Sequence, residues 1–382
     1  MITLPDLPKI DFVYLSESDM IKAGVTDMSS CIDTMEEAFK LLYRGDYRMA
    51  GGNNDSHGAM VVFPKESPFP KMPKPTAERR FMSMPAYLGG DFQMAGDKWY
   101  GSNIENRTKG LPRSILMYTL NDAVTGAPLA HMSANLLSAY RTGAVPGMGA
   151  RHLARKDSRV LGVLGPGVIA RTVVAGFMAA RPEIDTIKVK GRGKTNLDIF
   201  VSWAKESYPQ LKSVEVVETD EAVVRGSDIV TYCLSGVVGD PAKYATIRRE
   251  WVKPGAFLAM PAQCNTDEGM EKPDVRKVLD CPGMYEAWCE EFPKPSHNSV
   301  AIIGVKFWEM MLDGRIARSQ LEEIGKIVAG DAPGRQNDDE IILMSVGGLP
   351  IADVAWAATV YRNAVERGIG VKLNLWDKPA LS

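Results

Sequence analysis

The spacing of apolar and polar positions divides the chain into two kinds of region. Over the first 130 residues, short runs with strand character follow one another at 12–15, 59–63, 80–85, 95–100, 114–120 and 127–131. Asn121-Asp122 and Thr125-Gly126 mark a hairpin turn between the last two. Successive strands without intervening helices predict an antiparallel sheet. One helix precedes most of them: Ile32, Met35, Ala38, Phe39 and Leu42 recur at helical spacing, with Asp27 or Ser29-Ser30 placed to cap it. A polar glycine-rich loop follows at 51–58, and the proline-rich stretch 68–75 reads as a surface insertion. From residue 133 the period changes. Leu136, Leu137, Tyr140, Ala144 and Met148 line a helix to about residue 153, with Pro146 a predicted kink. Strands at 159–164, 186–190, 213–217, 229–234, 256–260 and 278–281 then alternate with helices at 168–180, 195–206 and 220–226. Such alternation predicts a doubly wound parallel sheet, so the fold class is α/β, a Rossmann unit beside an antiparallel one. Beyond residue 302 the pattern reads as helical, ending in a helix over 351–367 with Asp353 in its first turn, where the dipole favours a carboxylate.

Composition narrows the function. The chain has 382 residues, 45% hydrophobic and 24% charged, with a net charge of −2, which is the balance of an ordinary globular protein. Neither nucleic acid nor a membrane surface is expected as a partner. No apolar run approaches the roughly 18–20 residues that cross a bilayer, and the N-terminus lacks the pattern of a signal peptide. The five cysteines form no C-x-x-C pair and the four histidines are scattered, so no metal site is expected and a reducing cytoplasm fits best.

The stretch 159–171 organises the remainder. A buried-strand run leads to Gly165-Pro166-Gly167 and then into a helix opening Val168-Ile169-Ala170, which is the G-x-G-x-x-G/A dinucleotide fingerprint. Gly165 allows the tight turn, Gly167 lets a pyrophosphate approach the backbone, and Ala170 lets helix and strand pack closely. The new helix turns its free N–H groups and dipole toward the phosphates. Leu234 and Ser235, ending the fourth strand of the alternating region, complete the expected cofactor residues. NAD sites place an acid near the end of the second strand; here Arg192 and Lys194 stand instead, which favours the 2′-phosphate of NADP(H), with NAD(H) the alternative.

Two basic residues stand out upstream. Lys98 lies inside a strand otherwise fit for burial, and Arg141 lies among small residues on a helix. Spacing alone allows either structural ion pairs or a cleft in which both bind a substrate carboxylate, Arg141 as a bidentate fork.

Met84-Pro85, the G-x-K strand at Lys98, Gly110-Leu111-Pro112, D-x-x-T-G at 122–126, L-x-x-x-R-T-x-A at 137–144, G-x-L-G-x-G-x-x-A-R at 162–171, Trp251-Val252-Lys253-Pro254-Gly255 and S-x-G-G-L-x-I-x-D at 345–353 occur in this order. Together they resemble the ornithine cyclodeaminase/mu-crystallin family over roughly residues 80–370. The length also suits a longer sub-branch of that family that takes its label from tyramine oxidase. The resemblance implies a substrate-binding and dimerisation domain from both chain ends, 1–145 with 330–382, around a Rossmann domain at 146–329. It implies a homodimer that binds NAD(P)(H) and acts on α-amino or α-imino acids. Lys98 and Arg141 match the family's substrate residues. Gln263 falls where cyclodeaminases carry a catalytic aspartate, and an amide is no general base near neutral pH; Asp267 is the nearest carboxylate and would need a shifted loop. The family's other substrate arginine is also absent after the first helix, where His57 could supply a proton donor, or Arg79 or Arg80 could swing in. The reading is an imine or ketimine reductase or amino-acid dehydrogenase. A cyclodeaminase with tightly held NAD is the first alternative, and a non-catalytic NADPH binder of the mu-crystallin type the second.

Overall fold

A computed structural model describes residues 9–76, 78–234 and 240–381. Two eight-stranded sheets form its frame. In the first, neighbours run Val371–Trp376, Ile10–Leu15, Pro128–Ser133, Ser114–Asp122, Met94–Ser102, Arg80–Leu88 and Tyr47–Met49, with Ala59–Val62 also paired to Arg80–Leu88. All its pairings are antiparallel except Ile10–Leu15 beside Pro128–Ser133. The second sheet is parallel throughout: Ser213–Val216, Thr186–Lys190, Val160–Leu164, Ile229–Tyr232, Phe257–Met260, Ile341–Ser345, Val275–Leu279, Leu321–Glu323. Among the described residues no helix is long and apolar enough to cross a membrane.

Six strands escaped the sequence pattern: the short Tyr47–Met49, Thr246–Ile247, Asn265–Thr266 and Leu321–Glu323, and two longer ones, Ile341–Ser345 and Val371–Trp376, of which the first moves a boundary. Ile341–Ser345 lies inside the parallel sheet, between Phe257–Met260 and Val275–Leu279, so the chain leaves that sheet after Ser345 and not at residue 330. Its five residues are all buried, and a short, wholly buried run has no period to separate strand from helix. Val371–Trp376 is exposed along its whole length and pairs with Ile10–Leu15 at the sheet edge.

Helix Asn135–Leu153 joins the two halves and runs through Pro146 unbroken. It packs backbone to backbone on helix Val168–Ala180, because a Cβ at Gly143 or Gly176 would collide with the facing main chain. The residue-145 boundary thus falls inside a shared helix. The last helix, Pro350–Glu366, starts with proline in its first turn and buries every residue from Pro350 to Ala358. It lies against helix Met28–Arg44 and strands Arg80–Leu88 and Met94–Ser102, and its first turn carries the buried Asp353.

Candidate active site

The dinucleotide fingerprint adopts the shape its glycines predict. Gly165 has φ of 93°, the left-handed region glycine tolerates. Gly167 precedes helix Val168–Ala180 with no side-chain cap, and the space where its Cβ would stand is open. The helix thus offers uncapped N–H groups to an incoming phosphate. Ala170 is buried. A cavity of about 590 Å³ runs along this loop, lined by Gly165, Pro166, Gly167, Arg192, Asn196 and Leu234. These residues fit a dinucleotide: the glycine loop would take the pyrophosphate and Arg192 the adenosine end. Arg248 and Lys243 also line it, 50 or more residues downstream of Arg192, where no local signal marked them. Asp220, its only acidic lining residue among those described, is paired with Lys190. Lys194 does not join the cavity. Its side chain is 87% exposed and pairs with Asp198 one turn along its own helix. Ser235 lies outside the described residues.

Cys233 and Leu234 line this cavity and also a second one, of about 570 Å³, that holds His57, Arg80, Thr142, Ile169, Gln263 and Trp288. An adjoining lobe of about 400 Å³ reaches Lys98, Arg141 and Val168 and shares His57, Arg80 and Ile169. The cavities therefore meet at the C-terminal edge of the parallel sheet, the usual place for ligands on such sheets.

Lys98 and Arg141 converge at the base of that lobe, and a third residue joins them. Lys98 Nζ donates to Asp353 Oδ2 at 2.8 Å and to Ser138 Oγ at 3.2 Å; Arg141 Nε donates to Asp353 Oδ1 at 2.8 Å. All three side chains are at least 95% buried. Burial would raise the Asp353 carboxyl, but Arg141 and Lys98 outweigh it and hold it below the usual carboxylate range. Burial, then Arg141, brings Lys98 down to about 8, with Asp353 opposing. The two cations thus share an internal carboxylate, where the sequence suggested a choice between fold and substrate. The arithmetic leaves one positive charge uncompensated. Among the described residues, the two terminal nitrogens of Arg141 have no hydrogen-bond partner and remain available to a substrate carboxylate. Gly348, with φ of 83°, lies against them; a Cβ there would stand 3.2 Å from Arg141 Nη1.

His57 enters the site beside Trp288, their ring centres 5.3 Å apart, with Nδ1 buried and unpartnered. Burial, then Lys98 and Arg141, pushes it down to about 3, so the imidazole is neutral near pH 7 and is not an imidazolium donor. Gln263 lines the cavity with a buried, unpartnered Oε1. Asp267 is not beside it. Its carboxylate caps helix Glu268–Glu271 and accepts from the Arg249 and Met270 amides. Arg79 is tied to Glu105 at 2.6 Å. Besides Lys243 and Arg248, two features were invisible in the sequence: Asp353 as the shared counter-ion and Trp288 as the wall behind His57. Asp353 was legible only as a helix-terminal acid. Among the described residues no cluster of three or more His, Cys, Asp or Glu could hold a metal ion.

Comparison with known proteins agrees with this fold. The sequence profile of the ornithine cyclodeaminase/mu-crystallin family matches residues 24–368. The N-((2S)-2-amino-2-carboxyethyl)-L-glutamate dehydrogenase of Staphylococcus aureus is 27% identical over 369 residues, 96% of this chain and 99% of that protein. The Δ1-pyrroline-2-carboxylate reductase of Thermococcus litoralis, solved with NADH and L-proline, has a TM-score of 0.75 at 27% identity, covering 94% of this chain and 99% of that one. An archaeal alanine dehydrogenase dimer with bound NAD has a TM-score of 0.73 at 25% identity, covering 96% and 100%. With fold, fingerprint and profile in agreement over most of its length, the chain belongs to the ornithine cyclodeaminase/mu-crystallin family.

Proposed function

We propose that the protein is an NAD(P)(H)-dependent oxidoreductase, an imine reductase or amino-acid dehydrogenase, interconverting a small α-imino acid and the corresponding α-amino acid. One observation carries the reading: the Lys98–Asp353–Arg141 cluster, one charge in excess, opens into a cavity that meets the fingerprint at Gly167, Val168 and Ile169 and reaches Cys233. A nicotinamide bound there supplies or accepts a hydride. Arg141 holds the substrate carboxylate through its terminal nitrogens. Lys98 uses two donors on Asp353 and Ser138 and turns its third toward the substrate nitrogen, giving a proton in reduction and taking one in oxidation. His57 and Trp288 shield this end from water. Gln263 is suited to accept an N–H from substrate or cofactor amide and cannot remove a proton, which weighs against a cyclodeaminase.

NADP(H) is the preferred cofactor in this reading, because Arg192, Lys243 and Arg248 line the adenosine end. A homodimer formed through the first sheet is supported by its outer face, where Phe81, Trp99, Ile115 and Met117 are exposed and Phe81 stacks on Trp99 at 5.9 Å. Sedimentation at micromolar concentration should give the dimer; a monomer there rejects it. The five free cysteines suit a reducing cytoplasm. The decisive experiment follows absorbance at 340 nm with NADPH or NADH over cyclic imines and α-keto acids, with and without ammonia or amines. Consumption of reduced cofactor is expected. Ammonia release without net cofactor change would indicate a cyclodeaminase, and tight NADPH binding without any turnover the non-catalytic reading that Gln263 favours.

A further inference from the structure

Strand Arg80–Leu88 carries another basic residue on the face that holds the carboxylate site. Its buried positions are Met82, Met84, Ala86 and Leu88, so by the two-residue period Arg80 points the same way. Across the ladder Met84 pairs with Lys98, and Arg80 with Ser102. Four residues at about 3.3 Å each place the Arg80 backbone about 13 Å along the strand from the Lys98 level. Met82 and Tyr100 lie between and Met84 beside Lys98, packed with Leu116 as a small apolar cluster apart from the main core. The face therefore presents a cation, an apolar floor and a second cation.

The surroundings of Arg80 lack the counter-ion its neighbours have. Arg113 is paired with Glu78 at 2.9 Å and Arg79 with Glu105 at 2.6 Å. Among the described residues no carboxylate forms an ion pair with Arg80; Glu78, held by Arg113, and Glu291 line the same cavity without pairing with it. Arg80 Nε is buried with no acceptor. The contacts it does have are to Tyr100, a 3.5 Å hydrogen bond from Nη2 to Oη and a ring centre 5.9 Å from the guanidinium carbon. A guanidinium N–H without an acceptor is costly to bury, and a bidentate carboxylate satisfies it. Arg80 also lines both lobes of the substrate cavity.

We propose that Arg80 is a second anion subsite, selecting amino or imino acids that carry a second carboxylate beyond an extended spacer. The proposal rests on the oxidoreductase reading for which end reacts: the α-carboxylate lies on Arg141 and Lys98, the spacer crosses Met82, Met84 and Tyr100, and the distal carboxylate lies on Arg80. Imines joining a keto acid to an amino acid, and the secondary amines formed by their reduction, have this shape. A substrate as small as alanine leaves Arg80 unfilled.

The test uses the full chain saturated with NADPH. Calorimetric binding of α,ω-dicarboxylates from glutarate to azelate is compared with that of monocarboxylates of equal carbon number. The best dicarboxylate should bind at least tenfold more tightly than its monocarboxylate. Arg80→Met should reduce that ratio to within twofold with little change for the monocarboxylate, and Arg80→Lys should keep part of it. A wild-type ratio near one at every length, or a ratio that survives in a folded Arg80→Met, overturns the subsite. Binding is read without turnover, so the two readings fail separately. If no imine is reduced while the ratio holds, the reaction is wrong and the subsite stands. If monocarboxylic imines are reduced while the ratio is absent, the subsite alone is wrong.

Discussion

The cofactor cleft and the carboxylate site are built in opposite ways. The cleft's core is contiguous: strand Val160–Leu164, the turn at Gly165 and the opening of helix Val168–Ala180 are read off one short stretch. Its chemistry is mainly backbone, with open space at Gly167 and uncapped N–H groups. The carboxylate site has no contiguous core. Lys98 and Arg141 stand 255 and 212 positions from Asp353, and three elements must dock before any of the three is satisfied. A site made of backbone needs only local sequence. A site made of buried charges needs the whole fold, since each charge is tolerable only beside its partner.

That contrast gives a ranked set of tests. The largest effect is expected at Asp353. Asp353→Asn leaves Lys98 and Arg141 facing each other without compensation and should cost about 3–5 kcal/mol of stability, read by urea or thermal unfolding. A change under about 1 kcal/mol would mean that the cluster is held up by something else.

Arg141→Met comes next. Turnover should fall by about two orders of magnitude or more, because the fork that positions the carboxylate is lost. Stability should fall as well, since Asp353 keeps only Lys98 and Ser138 remains a neighbour of the lysine alone. Two neighbouring cations taken alone repel, so removing one would leave the melting temperature unchanged or slightly raised. The shared carboxylate reverses that sign. A mutant of undiminished turnover would remove Arg141 from the substrate.

The cofactor side should respond in binding and hardly in folding. Arg192→Ala should narrow the preference for NADPH over NADH by about 1–3 kcal/mol, measured as the ratio of dissociation constants, with the melting temperature of the free protein unchanged. Equal affinities in the unmutated protein would end the NADP(H) assignment. Lys194→Ala should leave the ratio within about twofold, because its ammonium is spent on Asp198 in solvent.

The smallest effect is a pH limb. With Lys98 down to about 8 from an ordinary 10.5, the reductive rate should fall as pH rises through about 8 and the oxidative rate should rise through the same point. Stability should move oppositely to the reductive rate. Between these two values the unfolded chain binds more protons than the folded one, so this group adds stability with rising pH. Pre-steady-state rates in both directions, with Lys98→Arg as the control, check it; a reductive limb that persists in Lys98→Arg belongs to another group.

Local sequence was enough for the alternating strands and helices, the fingerprint with its left-handed Gly165, the strand-rich first third and the two basic residues, Lys98 and Arg141, at positions otherwise fit for burial. These follow from hydrophobic period and backbone sterics, which act over a few residues. It could not separate Ile341–Ser345 from a helix, because a wholly buried run carries no alternation, and it could not place the edge strand Val371–Trp376, whose pairing partner lies at the other end of the chain. It marked Asp353 as a helix-terminal acid and could not show that the carboxylate faces two cations. It offered His57 as a proton donor, and tertiary burial beside Lys98 and Arg141 keeps that imidazole neutral. It put Lys194 with Arg192 at the cofactor, and the helix turned Lys194 outward to Asp198. In each case the deciding quantity was the electrostatic surroundings of a side chain, and those exist only once distant elements have packed.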